Sequence, residues 1–155
     1  MSFSASLDLN MVGDRIQKIF REEFMEDFDQ SFMEPSGDDV SMRFLKDFQY
    51  DERISFRFDF RIMKQGLVCL EADFANLLDP LTEFEKINSF NMKTDRAFSM
   101  CLNKDSSVCL RRYSLSKTIS EMEKEVRGFL DSFKKDFDDI EKVLVSDCHH
   151  HHEDE

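Results

Sequence analysis

The chain has 155 residues and a formal net charge of −12; 41% of its residues are hydrophobic, with 17 Phe and no Trp. This apolar content is too high for a disordered chain and predicts a single domain with a packed core. The negative charge disfavours nucleic acids and anionic lipid surfaces as partners, and no apolar run approaches the ~20 residues that cross a bilayer.

The sequence carries no signal for export and no catalytic motif. Residues 1–10 have neither a basic start nor an apolar block, so we expect no secretion signal and a cytoplasmic protein with reduced thiols. Gly-rich phosphate loops, paired Cys-x-x-Cys motifs and common hydrolase motifs are absent, and all four histidines follow Cys148. We therefore predict a protein that is not an enzyme and needs no cofactor.

The first half of the chain predicts one helix and three strands. Apolar side chains recur every three or four positions over 9–29, which indicates an amphipathic helix, and a loop over 35–38 follows. Strands are predicted over 40–49, 54–62 and 68–74. The middle strand is the clearest, because apolar residues there alternate strictly with polar ones. We expect its apolar residues to be buried: Ile54, Phe56, Phe58, Phe60 and Ile62.

A short helix and a second hairpin are predicted next. The helix begins at Pro80, and its apolar side comprises Leu81, Phe84 and Ile87. Strands over 96–102 and 108–113 follow, joined by a polar turn. If this turn has an odd length, both strands direct their apolar side chains to the same face, and Cys101 lies opposite Cys109.

A long amphipathic helix closes the predicted domain. A capping box at Thr118–Glu121 starts it, and one apolar stripe runs from Met122 to Leu144. Residues 146–155 follow as a polar tail that we expect to be disordered. Residues 1–145 are therefore predicted to form a single α+β domain of order α-β-β-β-α-β-β-α, with an antiparallel sheet packed against long helices.

The part of the chain over 81–145 combines the element Asn88-Ser89-Phe90-Asn91 with the predicted hairpin and the long helix that follows. This combination resembles the YbjN-like family, which is similar in fold to the class I type III secretion chaperones. Phe90 stands where an aromatic residue, often Trp, is usual in that family. The resemblance implies a secretion-chaperone-like sandwich, no catalytic residues, a homodimer as in the secretion chaperones, and a protein-binding or regulatory role.

Several side chains are candidates for contacts with a partner or a ligand. Acidic residues of the first helix, including Glu22 and Glu26, form either a solvated face or a docking surface for a basic partner. Cys101 and Cys109 are either two small apolar residues of a sheet or a redox pair. The contiguous histidines are interpreted as a disordered native tail, as the remnant of a purification tag, or as a weak zinc, nickel or copper site. They are His149, His150, His151 and His152.

The leading hypothesis is a non-catalytic, chaperone-like or regulatory module that holds an extended segment of a partner protein. An exposed sheet face or edge, or a groove beside the first helix, would bind that segment. Because the sheet cannot cover the full length of both helical stripes, we also predict a homodimer. The alternative is a small-molecule or metal-sensing domain, with a pocket under the C-terminal helix or ligands from the tail. Contacts of the homodimer are expected among Phe90, Tyr113, Phe133 and Phe137.

Overall fold

The structure is a computed structural model that describes residues 6–33, 40–93 and 95–145. These residues form an α-β-β-β-β-α-β-β-α-α series, and none of the helices so described is long and apolar enough to cross a membrane. The helices are α1 (Leu9–Phe24), α2 (Pro80–Asn91), α3 (Ile119–Lys135) and α4 (Phe137–Val145). The strands are β1 (Asp29–Met33), β2 (Ser41–Gln49), β3 (Ser55–Met63), β4 (Leu67–Leu77), β5 (Ser99–Leu102) and β6 (Ser107–Leu115).

The strands form one antiparallel sheet in the order β1-β2-β3-β4-β6-β5. One side of this sheet, the core face, packs against α1 and α3. The opposite side, the open face, carries Arg57, Glu71 and Arg111. The alternation predicted over 54–62 is confirmed, because its apolar residues are buried on the core face whereas Arg57 is exposed. The α+β class and the antiparallel sheet against helices are confirmed as well.

Phe side chains connect the helices to the core face. The centroid of the Phe58 ring on β3 lies 6.0 Å from that of Phe20 on α1 and 4.9 Å from that of Phe133 on α3. Both ring pairs are close to perpendicular, at 83° and 72°. Such edge-to-face pairs add to the free energy that the burial of each ring contributes. The aromatic core therefore fixes both helices on the same strand.

The first helix is shorter than predicted, and a strand takes the place of its last turn. Met25 adopts a left-handed conformation (φ 58°) and ends α1, so the predicted helix over 9–29 is wrong beyond residue 24. Phe28 is still buried, but from an extended segment. The Gln17 side chain fixes that segment, because its amide accepts from the Phe28 N–H and donates to the Phe28 carbonyl, both at 2.9 Å. β1 then begins at Asp29 and forms one edge of the sheet.

The long C-terminal helix predicted from Met122 to Leu144 is divided at Asp136. The N–H of Asp136 still donates to the Ser132 carbonyl, and its own carbonyl accepts from the Ile140 N–H. Its dihedral angles (φ −99°, ψ 10°) nevertheless depart from helical values and separate α3 from α4. Apart from Phe137, which is half-buried, the apolar stripe is buried along both helices, as predicted.

The second hairpin has the predicted parity, since Cys101 lies opposite Cys109. Asn91, the last residue of α2, covers the outer edge of β5. Its side-chain amide donates to the Met100 carbonyl (2.8 Å) and accepts from the Met100 N–H (2.7 Å). An amide side chain thus takes the position of a neighbouring strand and leaves this edge less available for pairing with another chain.

Of the apolar side predicted for α2, only Ile87 packs against the core. Leu81 and Phe84 are 92% and 66% exposed, respectively. The helix is held to the rest of the domain by Phe90, which is 4% exposed and stacks on Phe98 with ring centroids 6.3 Å apart. The pattern of apolar residues in α2 therefore does not indicate which side faces the core.

Candidate functional site

An aromatic groove opens at one end of the helix–sheet sandwich, where the β2–β3 turn meets the junction of α3 and α4. Its volume is about 490 Å³, and Lys134 and Asp138 lie at its rim. The aromatic side chains that line this aromatic groove are Phe24, Phe48, Tyr50, Phe56, Phe133 and Phe137.

The aromatic groove exists because several elements end at the same level of the sandwich. Phe24 is the last residue of α1, Tyr50 directly follows β2, and Phe137 is the first residue of α4. Rings at such ends lack the next turn or the next strand residue that would cover them. Tyr50 is consequently 55% exposed, and Phe24 and Phe137 are half-buried. The described residues leave an apolar surface open here, which is typical of a binding site.

The rings of the aromatic groove are held in place by one another. Ring centroids are 4.6 Å apart for Tyr50 and Phe137 and 5.0 Å apart for Phe56 and Phe133. Phe56 and Phe133 form the floor and are themselves part of the hydrophobic core. A ligand would therefore meet a largely preformed surface, so little ordering of side chains would oppose binding.

The charge at the rim of the aromatic groove is negative. Lys134 lies 5.1 Å from the centroid of the Phe24 ring and donates a 2.9 Å hydrogen bond to Glu23. This hydrogen bond holds the pKa of the Glu23 carboxyl below its usual range, so the two charges offset each other. Asp138 is exposed and forms no ion pair with any residue that the structure describes. Its carboxylate is the uncompensated charge beside the rings.

The structure brings together two of the predicted contact residues. Phe133 and Phe137 line the aromatic groove, on either side of the break at Asp136. Phe90 does not join them, because it is buried beneath the Arg96 guanidinium, which lies 3.7 Å from the ring centroid. Phe90 is 4% exposed and therefore offers little surface to a partner, so its role as a contact stays a prediction. Phe133 is also buried, so it offers a partner only the edge of the groove floor.

The remaining predicted site residues lie elsewhere. Glu22 pairs with Arg127 of α3 at 2.8 Å and Glu26 pairs with Lys46 of β2 at 3.1 Å, so part of the acidic face is neutralised within the chain. Tyr113 is exposed on the open face. The predicted metal ligands of the tail, His149, His150, His151 and His152, lie outside the described residues, as does Cys148.

A second cluster, the thiol–carboxylate cluster, lies on the open face and comprises Glu71, Asp73, Cys101 and Cys109. One carboxylate oxygen of Glu71, one of Asp73 and the Cys109 thiol lie within 4.8 Å of one another. The neighbouring Cys109 thiol lowers the pKa of Cys101 to about 7, and the same contact, with burial, raises the pKa of Cys109. Burial also raises the pKa of the Asp73 carboxyl. The cluster therefore combines thiol and carboxylate groups that affect one another's ionisation.

Sequence reasoning missed most of the residues that form these two sites. For the aromatic groove, the sequence predicts only a groove beside the first helix. Phe24 and Phe48 continue apolar patterns, and such patterns predict core positions rather than the lining of a groove. No family model and no curated protein matches the chain. The resemblance to the YbjN-like family and to the secretion chaperones therefore stays a prediction.

Proposed function

We propose that the chain is a non-catalytic protein-binding module, which holds an extended, basic and apolar segment of a partner protein in the aromatic groove. The observation that carries this proposal is the open, ring-lined groove of about 490 Å³ with an unpaired carboxylate at its rim. That volume lies within the range of about 300–1,000 Å³ that is usual for pockets that bind ligands.

Charge complementarity selects the occupant. The chain carries a net charge of −12, and Asp138 adds a negative charge directly at the groove. An acidic segment would be repelled, whereas Lys or Arg next to an apolar anchor would be attracted to the rim. Aromatic walls suit a Phe or Leu side chain as that anchor and can also bind the stem of Lys. The role would be chaperone-like or regulatory, as the resemblance also implies.

The proposed location is the cytoplasm. Cys69, Cys101 and Cys109 are free thiols in the described part of the chain. Free thiols are typical of proteins kept in a reducing compartment.

The binding experiment uses the full-length chain and a fluorescent peptide with a Phe-Leu core and two Lys on each side. Replacing Phe137 with Ala removes a wall of the groove, so we expect the dissociation constant to rise at least about ten-fold, or 1.4 kcal/mol. Asp138→Asn should weaken binding less and reduce its salt dependence. Fluorescence anisotropy at several salt concentrations measures both effects.

Two controls distinguish binding in the groove from nonspecific binding of the peptide. Phe84→Ala removes an equally large and more exposed ring from α2, outside the groove, and should leave the dissociation constant unchanged. A peptide with Glu in place of Lys should bind far more weakly. The proposal would be contradicted if the two peptides had equal dissociation constants. It would also be contradicted if Phe137→Ala left the dissociation constant of the Lys peptide unchanged.

The predicted homodimer is the second part of the proposal. One chain has a mass of 18.4 kDa, so a dimer would have twice that mass. We expect light scattering during size exclusion to give the dimer mass at tens of micromolar concentration, since exposed apolar side chains such as Leu77 and Leu115 favour association. A single-chain mass at that concentration would remove the homodimer from the account and leave the groove proposal intact.

The small-molecule alternative has one structural feature in its favour. A hollow of about 370 Å³ lies between α2 and α4, under the end of the C-terminal helices. It is lined by Phe90 and Val143 together with Lys93, Arg96 and Asp139. Ion pairs from Asp139 to Lys93 (3.2 Å) and Arg96 (3.0 Å) already engage its charged groups. The aromatic groove, whose exposed apolar rings are not engaged in ion pairs of this kind, is the better-supported site.

A further inference from the structure

Strand register places the thiol–carboxylate cluster in a single row on the open face. Cys101 on β5 lies opposite Cys109 on β6, and Cys109 lies opposite Asp73 on β4. Glu71 is two residues from Asp73 along β4, so its side chain is on the same face. Three adjacent strands therefore bring two thiols and two carboxylates together, although β4 and β5 are separated in the sequence by α2.

The distances among Glu71, Asp73 and Cys109 are close to those of metal ligands. Zinc binds carboxylate oxygen and thiolate sulfur at about 2.0–2.3 Å, which places tetrahedral ligand atoms roughly 3.3–3.8 Å apart. The candidate atoms of Glu71, Asp73 and Cys109 lie within 4.8 Å of one another, and the Cys109 Sγ is 3.9 Å from the Glu71 Oε1. The Cys101 thiol does not lie within 4.8 Å of all three of these atoms, so its side chain would have to rotate toward them to act as the fourth ligand.

The charge of the cluster is only partly neutralised within the described chain, because Arg111 pairs with Glu71 whereas Asp73 has no ion pair there. Arg57, which lies opposite Asp73 on β3, donates instead to Asp47 at 2.7 Å. Asp73 is half-buried and forms no ion pair with any other residue of the described ranges. Burying a carboxylate that has no ion pair of its own is costly, and a bound metal ion is one way in which proteins offset that cost.

Glu71 is already oriented for such a site. Its Oε2 accepts a hydrogen bond from the Tyr113 hydroxyl and lies 3.1 Å from the Arg111 Nε. The other oxygen, Oε1, is the one near the Cys109 thiol. Tyr113 and Arg111 thus hold one oxygen and leave the second for a ligand, the arrangement by which outer residues orient a metal-binding carboxylate.

We propose that Cys101, Cys109, Asp73 and the Oε1 of Glu71 bind one zinc ion on the open face. Two thiolates with two carboxylate oxygens form a tetrahedral ligand set that suits zinc, and thiolates disfavour magnesium and calcium. Each thiol loses its proton on binding, so up to two protons are released for each ion bound. This site lies on a different face from the aromatic groove and does not depend on the proposed function.

The test has to remove the ligands of the tail. We would use the full-length chain with Cys148→Ser and with His149, His150, His151 and His152 each replaced by Asn, in a metal-free buffer with a phosphine reductant. Co²⁺ is the probe, because thiolate ligands give it an intense charge-transfer band. We expect this band to saturate at one Co²⁺ for each chain, and Zn²⁺ to displace the Co²⁺ and abolish it.

Variants of the same tail-substituted chain identify the ligands. Cys109→Ser should abolish the band, Cys101→Ser should weaken it strongly, and Asp73→Asn should reduce the affinity at least about ten-fold. Cys69→Ser is the matched control, since Cys69 is a half-buried thiol of the open face outside the cluster. Circular dichroism checks that each variant is folded. If Cys109→Ser does not fold, the result for Cys101→Ser decides the test. The absence of a band, or a band unchanged in both of these variants, would overturn the proposal.

Discussion

Replacing Phe58 with Ala is expected to lower the free energy of unfolding by roughly 3–5 kcal/mol. The Phe58 side chain is fully buried at the centre of the core face. Its removal would leave a cavity among rings from both long helices and from the neighbouring strands, which cannot all move inward. The rings around it are those of Phe20, Phe24, Phe48, Phe56, Phe60, Phe129 and Phe133.

Urea or guanidinium melts of the two chains would measure this loss, and Phe84→Ala is the control. Phe84 is also a Phe, but it is exposed on α2, so its replacement should change the free energy of unfolding by less than about 0.5 kcal/mol. A loss below about 1 kcal/mol for Phe58→Ala would show that Phe58 is not a core residue, and the arrangement of helices on the sheet would then have to be revised.

Replacing Arg96 with Met is expected to lower the free energy of unfolding by roughly 2–3 kcal/mol. This is somewhat less than the ~3–5 kcal/mol lost when one member of a fully buried ion pair is removed. The Arg96 side chain is 2% exposed and lies over the Phe90 ring. Its Nη2 donates to Asp139 at 3.0 Å, and its Nη1 lies 3.8 Å from Asp136, an ion pair without a hydrogen bond. Methionine keeps the contact with the ring but leaves Asp136 without a cation.

A matched replacement tests whether burial is the reason for this cost. Arg57 forms an ion pair with Asp47 in which both side chains are exposed. Arg57→Met should therefore lower the free energy of unfolding by less than about 1 kcal/mol. Adding Asp136→Asn to Arg96→Met should restore part of the lost stability, because it removes the half-buried charge that Arg96→Met leaves unpaired. Equal losses for Arg57→Met and Arg96→Met in denaturant melts would be inconsistent with this explanation.

Local patterns predict the parts of the fold in which one face of a strand or helix is buried. The alternation from Ile54 to Ile62 and the stripe from Met122 to Leu144 are both confirmed as core. β1 has no such pattern, since its buried neighbour Phe28 continues the helical spacing of α1. The break at Asp136 could not be located either, because no Pro or Gly is present there to interrupt the helix.

The two candidate sites depend on contacts between distant parts of the chain. The parity of the second hairpin predicted Cys101 opposite Cys109, but local patterns do not indicate that β4 pairs with β6 and so adds Glu71 and Asp73. The aromatic groove likewise forms where the ends of α1, β2 and α3 meet. Each of its rings taken alone fits a core position, and only the tertiary structure shows that they are incompletely covered.

The most direct test of the proposed function locates the peptide on the protein. Nuclear magnetic resonance of the ¹⁵N-labelled full-length chain would follow the amide signals while the peptide with the Phe-Leu core and flanking Lys is added. We expect saturable shifts concentrated at the aromatic groove, from the end of β2 through Tyr50 and from Phe133 to Asp138. Shifts confined to the open face or to α2, or no saturable shifts at all, would contradict it.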